Sequence, residues 1–399
     1  MLAPDASPRP GPDHVAAEDL RHLVSAADLP GGQSERYDQI VRIAQHVFDV
    51  PMAAVNLLDE TTLTSLAIAG LPPLEVPREG TLCDQTLRTN GTFVVPDARL
   101  DPRFASQPLV TGDPHLRFYA GEPVAGPGGQ PVGVLCIFDT SPRELTAPES
   151  RLLRTLADWV EQELVHDSDR VQAHEVQRWL LPARQIVVPG YDIAGHCVPA
   201  LDVGGDFYDW QLLPGGAVQV VVADVMGKGM VAAVVAAGVR ALMRGASRFT
   251  GLAEAITRTA ADMDDDFSHT GTFVTMLAAR LDPKTGDVEY VDAGHGLALI
   301  IQASGKTQRL VSRDLPIGAM TGDSWETRHV HLEPGDTLLV VSDGILDLFP
   351  DAGAAVRAGI ALSADVPDAN EMARRIAGIG GGVPLADDIT ALVVRRDLS

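Results

Sequence analysis

Cysteine is scarce: Cys83, Cys136 and Cys197 are the only three in 399 residues. An odd number without metal-ligand spacing excludes a disulfide framework and a zinc–thiolate site, and it suits a reducing compartment. It also excludes the thiol phosphatases, whose nucleophilic Cys is followed, after five residues, by an Arg. Cys83 reaches Arg88 after only four residues, and the other two have no such arginine. Lysine is equally rare, with Lys228, Lys284 and Lys306 standing alone in a chain of net charge −23. No basic run follows the chain, so nucleic acid, whose phosphates need clustered cations, is not an expected partner. Long apolar runs are missing too. The longest, Met230 to Met243, is interrupted by Arg240 and is too short to span a bilayer. The start, Met1-Leu2-Ala3-Pro4-Asp5 and on through Pro8, Pro10 and Pro12, has no apolar stretch. It resembles neither a signal peptide nor an anchor, and residues 1–32 are expected to form a disordered leader. A cytoplasmic location follows from these absences.

Hydrophobic residues make up 45% of the chain, and its length suits two domains. In the first, apolar residues recur at helical spacing from Gln33 to Phe48. Met52–Leu58, Leu63–Ile68, Thr92–Val95 and Gly133–Phe138 read as strands, with helical signals at Cys83–Thr89 and from Pro148 onward. Strands interleaved with helices predict an α/β sheet domain over 33–165. Residues 149–184 carry a long helical pattern with the stripe Leu153, Leu156, Val160, Leu164. The pattern breaks at 166–170, resumes at Val171, Val176 and Leu180, and stops at Pro182. That stripe suits either a coiled-coil seam that would form a homodimer or one helix packed on the first domain. Over 185–399 the expected strands are Tyr191–Val198, Val218–Asp224, Thr272–Leu281, Val288–Asp292, Ala298–Ile301, Thr337–Ser342 and Ile389–Val394. The expected helices are Met230–Arg244, Leu252–Asp266 and Ala369–Ile379. Many strands with few, clustered helices predict an α+β domain of two central antiparallel sheets flanked by helices.

Four aspartates in the second half stand at strand ends or in glycine turns. Asp206 follows Gly204-Gly205, Asp224 closes an apolar strand before Val225-Met226-Gly227, Asp343 precedes Gly344, and Asp387 with Asp388 opens the last strand. An Asp beside Gly is usually a turn or a helix cap. Repeated delivery of carboxylates by apolar strands points elsewhere, to a hard divalent cation such as Mg²⁺ or Mn²⁺, which takes oxygen ligands and waters. Two such ions about 4 Å apart can activate water for in-line attack on phosphorus.

Six motifs carry a resemblance. Leu180-Leu181-Pro182, Val203-Gly204-Gly205-Asp206-Phe207-Tyr208-Asp209, Asp224-Val225-Met226-Gly227-Lys228-Gly229, Asp292-Ala293-Gly294-His295, Ser342-Asp343-Gly344 and Asp387-Asp388-Ile389-Thr390 stand in that order. Together they resemble the PPM family of metal-dependent protein phosphatases, in its SpoIIE/RsbU-like branch, over about 180–397. The resemblance implies that Asp224 bridges both metals beside the Val225 carbonyl. It implies Asp206 as a ligand of one ion and Asp343 and Asp387 as ligands of the other. Asp209 and Asp388 are implied in supporting roles. Met226 stands where eukaryotic relatives place a histidine, which leaves the leaving-group proton donor open. The prolines that usually follow the Gly-His pair are replaced by Gly296-Leu297, and His295 reads as a turn or packing residue. Ile345-Leu346-Asp347 replaces the Thr-Glu of many relatives. Lys228 reads as a loop lysine.

Residues 35–165 resemble a GAF domain. The carriers are Val55-Asn56-Leu57-Leu58-Asp59, Cys83, Val95-Pro96-Asp97-Ala98, Phe118-Tyr119-Ala120-Gly121 and the run Gly133 to Asp139. Such domains sense small molecules, bind tetrapyrroles or dimerise. No signature beside Cys83 supports bilin attachment, and it reads as a buried thiol. The two resemblances imply a phosphoserine/phosphothreonine phosphatase under control of an unidentified small-molecule signal at the GAF domain. Its implied substrate is an anti-sigma-factor antagonist of the STAS class. A catalytically silent docking module and a small-metabolite phosphohydrolase stay open as alternatives.

Overall fold

The computed structural model describes residues 33–89, 91–311, 314–320, 322–381 and 384–398, so the leader expected over 1–32 lies outside the described residues. The chain divides into two units, Met1–Gln172 and Ala173–Ser399. Among the described residues no helix is long and apolar enough to cross a membrane.

The first unit is built on one antiparallel sheet. Its strands are β1 (Met52–Leu58), β2 (Thr62–Ala69), β3 (Glu75–Pro77), β4 (Phe93–Val95), β5 (Phe118–Ala125) and β6 (Pro131–Asp139), in the order β3-β2-β1-β6-β5-β4. Helix α1 (Gln33–Phe48) is the first element among the described residues. Helices α2 (Leu82–Thr89) and α3 (Pro108–Thr111) fall between strands, and α4 (Ala147–Leu180) follows the sheet. Period-2 alternation gives β1 two buried faces. Ala53, Val55 and Leu57 join Tyr37, Ile40, Leu153, Leu156, Val160 and Leu164 in one core. Met52, Ala54 and Leu58 join Cys83, Leu87, Tyr119 and Cys136 in the other. With both faces covered, β1 is buried along its whole length, which explains why it reads as an apolar run broken by Asn56 alone. The Leu153-to-Leu164 stripe is thereby used inside the unit's own core, as the single-packed-helix alternative required. Tyr37 tightens the same helix pair by donating its hydroxyl to Asp167 at 2.7 Å.

The second unit is a sandwich. One sheet has the order β14-β11-β10-β9-β8 and the other β13-β12-β15-β16-β7. The strands of the first are β8 (Phe207–Leu212), β9 (Val218–Val225), β10 (Val274–Leu281), β11 (Asp287–Ala293) and β14 (Arg328–His331). Those of the second are β7 (Tyr191–Val198), β12 (Ala298–Ile301), β13 (Thr307–Leu310), β15 (Thr337–Val341) and β16 (Ile389–Arg396). Facing residues Tyr208, Trp210, Val218, Val220, Val222, Leu338, Val340, Leu392 and Val394 fill the space between them. The opposite face of the first sheet packs against helices α5 (Met230–Ala246), α6 (Leu252–Asp262) and α7 (Asp264–Thr270). The opposite face of the second sheet carries α8 (Ala352–Asp365) and α9 (Ala369–Ala377). Ala173 and Leu180, from the last turns of α4, belong to this unit's core.

Most expected elements appear with ends shifted by a few residues. The helix expected over Leu252–Asp266 is divided at Met263, where α6 ends and α7 begins. The strand expected to run into Ser342 gives way to a 3₁₀ turn at Asp343–Leu348. Strands β3, β5, β8, β13 and β14 and helices α3 and α8 were not expected.

Candidate active site

Antiparallel pairing decides where the aspartates meet. Strand β8 begins beside the end of β9, with Phe207 opposite Ala223. Strand β16 begins beside the end of β15, with Ala391 opposite Val341. Asp206 directly precedes β8, Asp224 lies in the last turn of the pleat of β9, Asp343 directly follows Ser342 beyond β15, and Asp387 and Asp388 lead into β16. The side-chain period of two adds direction. Asp206 and Asp224 share the parity of Tyr208 and Val222, and Ser342, Asp388 and Thr390 share that of Val340 and Leu392. All of those partners face the space between the sheets.

The carboxylates lie close enough to feel one another's charge. Burial pushes the Asp206 carboxyl well above the usual range, and the charge of Asp224 pushes it further, while the Ser342 and Thr390 hydroxyls oppose the rise. Asp224 is raised to about 7, first by burial and then by Asp343, Asp387 and Asp388, against a lowering by Lys228. Asp343 is raised by partial burial and by the charges of Asp387 and Asp347. Mutual repulsion of this kind requires close approach. Lys228 leans across the mouth, with Nζ 3.3 Å from the Asp387 carboxylate and donating to the Ala386 carbonyl.

The donor set fits a hard cation. It consists of oxygens, and Asp206 is almost fully buried with its Oδ2 lacking a hydrogen-bond partner among the described residues. Such an orphan acceptor is costly unless a cation or proton satisfies it. The Val225 carbonyl faces the same loop, since a Cβ placed on Gly205 would lie 2.6 Å from its oxygen. Among the described residues no three His, Cys, Asp or Glu side chains already stand at ligand separation.

Supporting groups hold the loop that presents Asp206. The buried Asp388 carboxylate accepts backbone N–H bonds from Ala200 at 2.7 Å, Gly205 at 2.9 Å and Asp206 at 3.4 Å. A Cβ on Gly204 would strike that carboxylate, so glycine is required for the approach. Gln177, buried on α4, accepts from Gly204 N at 2.9 Å and donates to the Asp206 carbonyl at 3.3 Å. Gln177 was missed from the sequence. Its signal was a polar residue at the i+4 position between core-facing Ala173 and Leu180. Asp209 stands apart from the cluster, buried beneath Arg240 at 3.2 Å and Arg244. Asp292 is a turn former, since its carboxylate accepts from His295 N at 2.7 Å and Gly296 N at 3.0 Å. His295 is buried and held to about 4 by desolvation, which suits a packing residue. Met226 carries no titratable proton. Asp347 is exposed.

Residues 214–397 match the family described as Stage II sporulation protein E (SpoIIE), and residues 34–164 match the GAF domain family. A cyclic di-GMP phosphodiesterase of Pseudomonas aeruginosa is 38% identical over 115 residues, which are 29% of this chain and 20% of that protein. The phosphoserine phosphatase RsbU of Bacillus subtilis is 23% identical over 232 residues, covering 56% of this chain and 69% of RsbU. Among solved structures, the SiaA-PP2C domain of Pseudomonas aeruginosa aligns with 59% of this chain and 98% of its own, at 26% identity and a TM-score of 0.49.

Proposed function

We propose, for a chain whose residues 34–164 are a GAF domain and whose residues 214–397 are a SpoIIE-type phosphatase domain, hydrolysis of phosphoserine or phosphothreonine on a regulatory protein. The observation that carries this reading is the placement of Asp206, Asp224, Asp343 and Asp387 at neighbouring strand ends of the sandwich, where the charge of Asp224 raises Asp206, those of Asp343 and Asp387 raise Asp224, and that of Asp387 raises Asp343. Asp206, Asp224, the Val225 carbonyl, Asp343 and Asp387 would hold two divalent ions, Mn²⁺ or Mg²⁺. Such a pair supplies an acidified water and positive charge for the phosphoryl oxygens. The chain's own contribution is positional. Asp388 and Gln177 fix the Gly204–Asp206 loop, and Lys228 places a cation at the mouth, where an anionic substrate enters.

The substrate class implied by the SpoIIE/RsbU resemblance is a STAS-type anti-sigma-factor antagonist. Control by the GAF domain would run along α4, which contributes Leu153–Leu164 to one core and Gln177 to the Asp206 loop. Dimerisation through α4 would use Leu152 and Trp159, which are partly exposed seven residues apart, because the Leu153–Leu164 stripe is already buried.

Phosphopeptide and p-nitrophenyl phosphate turnover, with Mn²⁺, Mg²⁺ or EDTA, tests the reading on wild type and Asp224→Ala. Turnover that requires a divalent ion and is lost in the variant supports it. Silence of the wild type under every condition favours a docking module, and turnover confined to sugar phosphates or nucleotides favours a metabolite phosphohydrolase.

A further inference from the structure

We propose that the second unit holds a binding site for a compact apolar monocarboxylate beneath α8, a site separate from the aspartate cluster. A cavity of about 120 Å³ lies there, walled by Leu299, Leu339, Val341, Ile345 and Leu362. Its origin is the composition of α8. That helix turns Ala352, Ala355 and Gly359 toward the cavity, and Gly359 is its one buried residue. Side chains this short cannot fill the space over a sheet, so the packing that closes most interiors is absent here.

Two observations define the ligand. The first is the lining, which among the described residues is apolar, with the one aromatic ring of Phe349, apart from Thr307 and the charged Arg309. An apolar cavity of roughly 150 Å³ accepts a benzene ring, so this somewhat smaller volume, open at its rim, suits an apolar body of about six carbons at most. The second is the Arg309 guanidinium, which gives one bond to the Gly296 carbonyl at 2.9 Å. Guanidinium carries five donors in a fork that matches a carboxylate. In a chain of net charge −23 this cation is a local feature that cannot reflect a general basic field. A hydrated phosphate dianion would lose too much solvation against the aliphatic wall, whereas a carboxylate at the rim leaves its apolar body inside. Val341 and Ile345 stand on either side of Asp343 in sequence, so an occupant touches the segment that presents that carboxylate. Binding at this site does not depend on the phosphatase reading.

Calorimetric titration of the full chain with phenylacetate and its neutral isostere 2-phenylethanol tests the site, using wild type, Arg309→Ala and Ala355→Leu. Phenylacetate is expected to bind more tightly than the alcohol, on the order of tenfold, and Arg309→Ala should erase that difference. Ala355→Leu, which plugs the cavity, should abolish both. Should that variant not fold, Leu362→Phe serves the same purpose, with the thermal midpoint confirming folding. Equal affinity for acid and alcohol, binding that survives the plug, or no heat with phenylacetate in the millimolar range would each overturn the proposal.

Discussion

Replacing Gln177 by Leu keeps the volume of a buried side chain on α4 and deletes its hydrogen bonds to two buried backbone groups, together with a weaker one to Cys197 Sγ at 3.5 Å. The side chain accepts from Gly204 N at 2.9 Å and donates to the Asp206 carbonyl at 3.3 Å, and neither backbone group is exposed to water. A buried polar group left without its partner costs about 1–3 kcal/mol, and two give roughly 2–4 kcal/mol when one finds a partial substitute. Among the described residues the Asp206 carbonyl keeps a distant thiol, Cys197 Sγ at 3.9 Å, to fall back on. For a unit of this size each kcal/mol moves the thermal midpoint by roughly 2–4 °C, so a fall on the order of 10 °C is expected. Because the loop carries Asp206, Mn²⁺ affinity should drop as well, by about tenfold or more, as for other groups that orient metal ligands. Differential scanning calorimetry and Mn²⁺ titration measure the two effects on one sample. A midpoint within 1–2 °C of wild type, together with unchanged Mn²⁺ affinity, would show that the loop holds itself and would refute this role for α4.

Two other perturbations follow from the same geometry. Asp388→Ala removes the acceptor of three backbone N–H groups and should cost about 3–5 kcal/mol in urea denaturation, whereas Asp388→Asn, which keeps one acceptor oxygen, should cost less. His295 is held neutral at about 4 in the folded chain. The unfolded chain therefore binds the extra proton between about pH 6.5 and 4, and stability must fall as pH is lowered through that window, by up to about 3 kcal/mol. His295→Leu should flatten that part of the profile, and an unchanged profile would show that the imidazole titrates freely.

Strands were legible in the sequence where the apolar run is nearly unbroken; β5, though buried on both faces, was hidden because Gly121, Glu122 and Pro123 interrupt its run. Val218–Val225 and Thr337–Val341 read as strands because both faces are covered and the apolar run is nearly unbroken. Strand β8 was hidden because Asp209 and Gln211 interrupt its aromatic residues, and Asp209 is buried only through Arg240 and Arg244, which lie on a distant helix. Strands β13 and β14 are short, with half or more of their residues at the surface, and present no apolar alternation. Helix α8 is so rich in alanine and glycine that no amphipathic stripe marks it. In the site, the aspartates could be named from strand ends and glycine turns, since local chain geometry puts them there. Their convergence could not, because it depends on the register of Phe207 with Ala223 and of Val341 with Ala391. Gln177 could be suspected from its place on the core face of α4, but its partners could not be named, as they lie 27 and 29 residues away.

Metal binding by the stripped chain tests the central claim most directly. Titration of the full chain with Mn²⁺, followed by elemental analysis after gel filtration, is expected to give two ions per chain, with loss of both in Asp224→Ala and of at least one in Asp343→Ala. A chain that retains no Mn²⁺, or one whose Mn²⁺ survives loss of Asp224, would contradict the assignment of these carboxylates as a two-metal phosphatase centre.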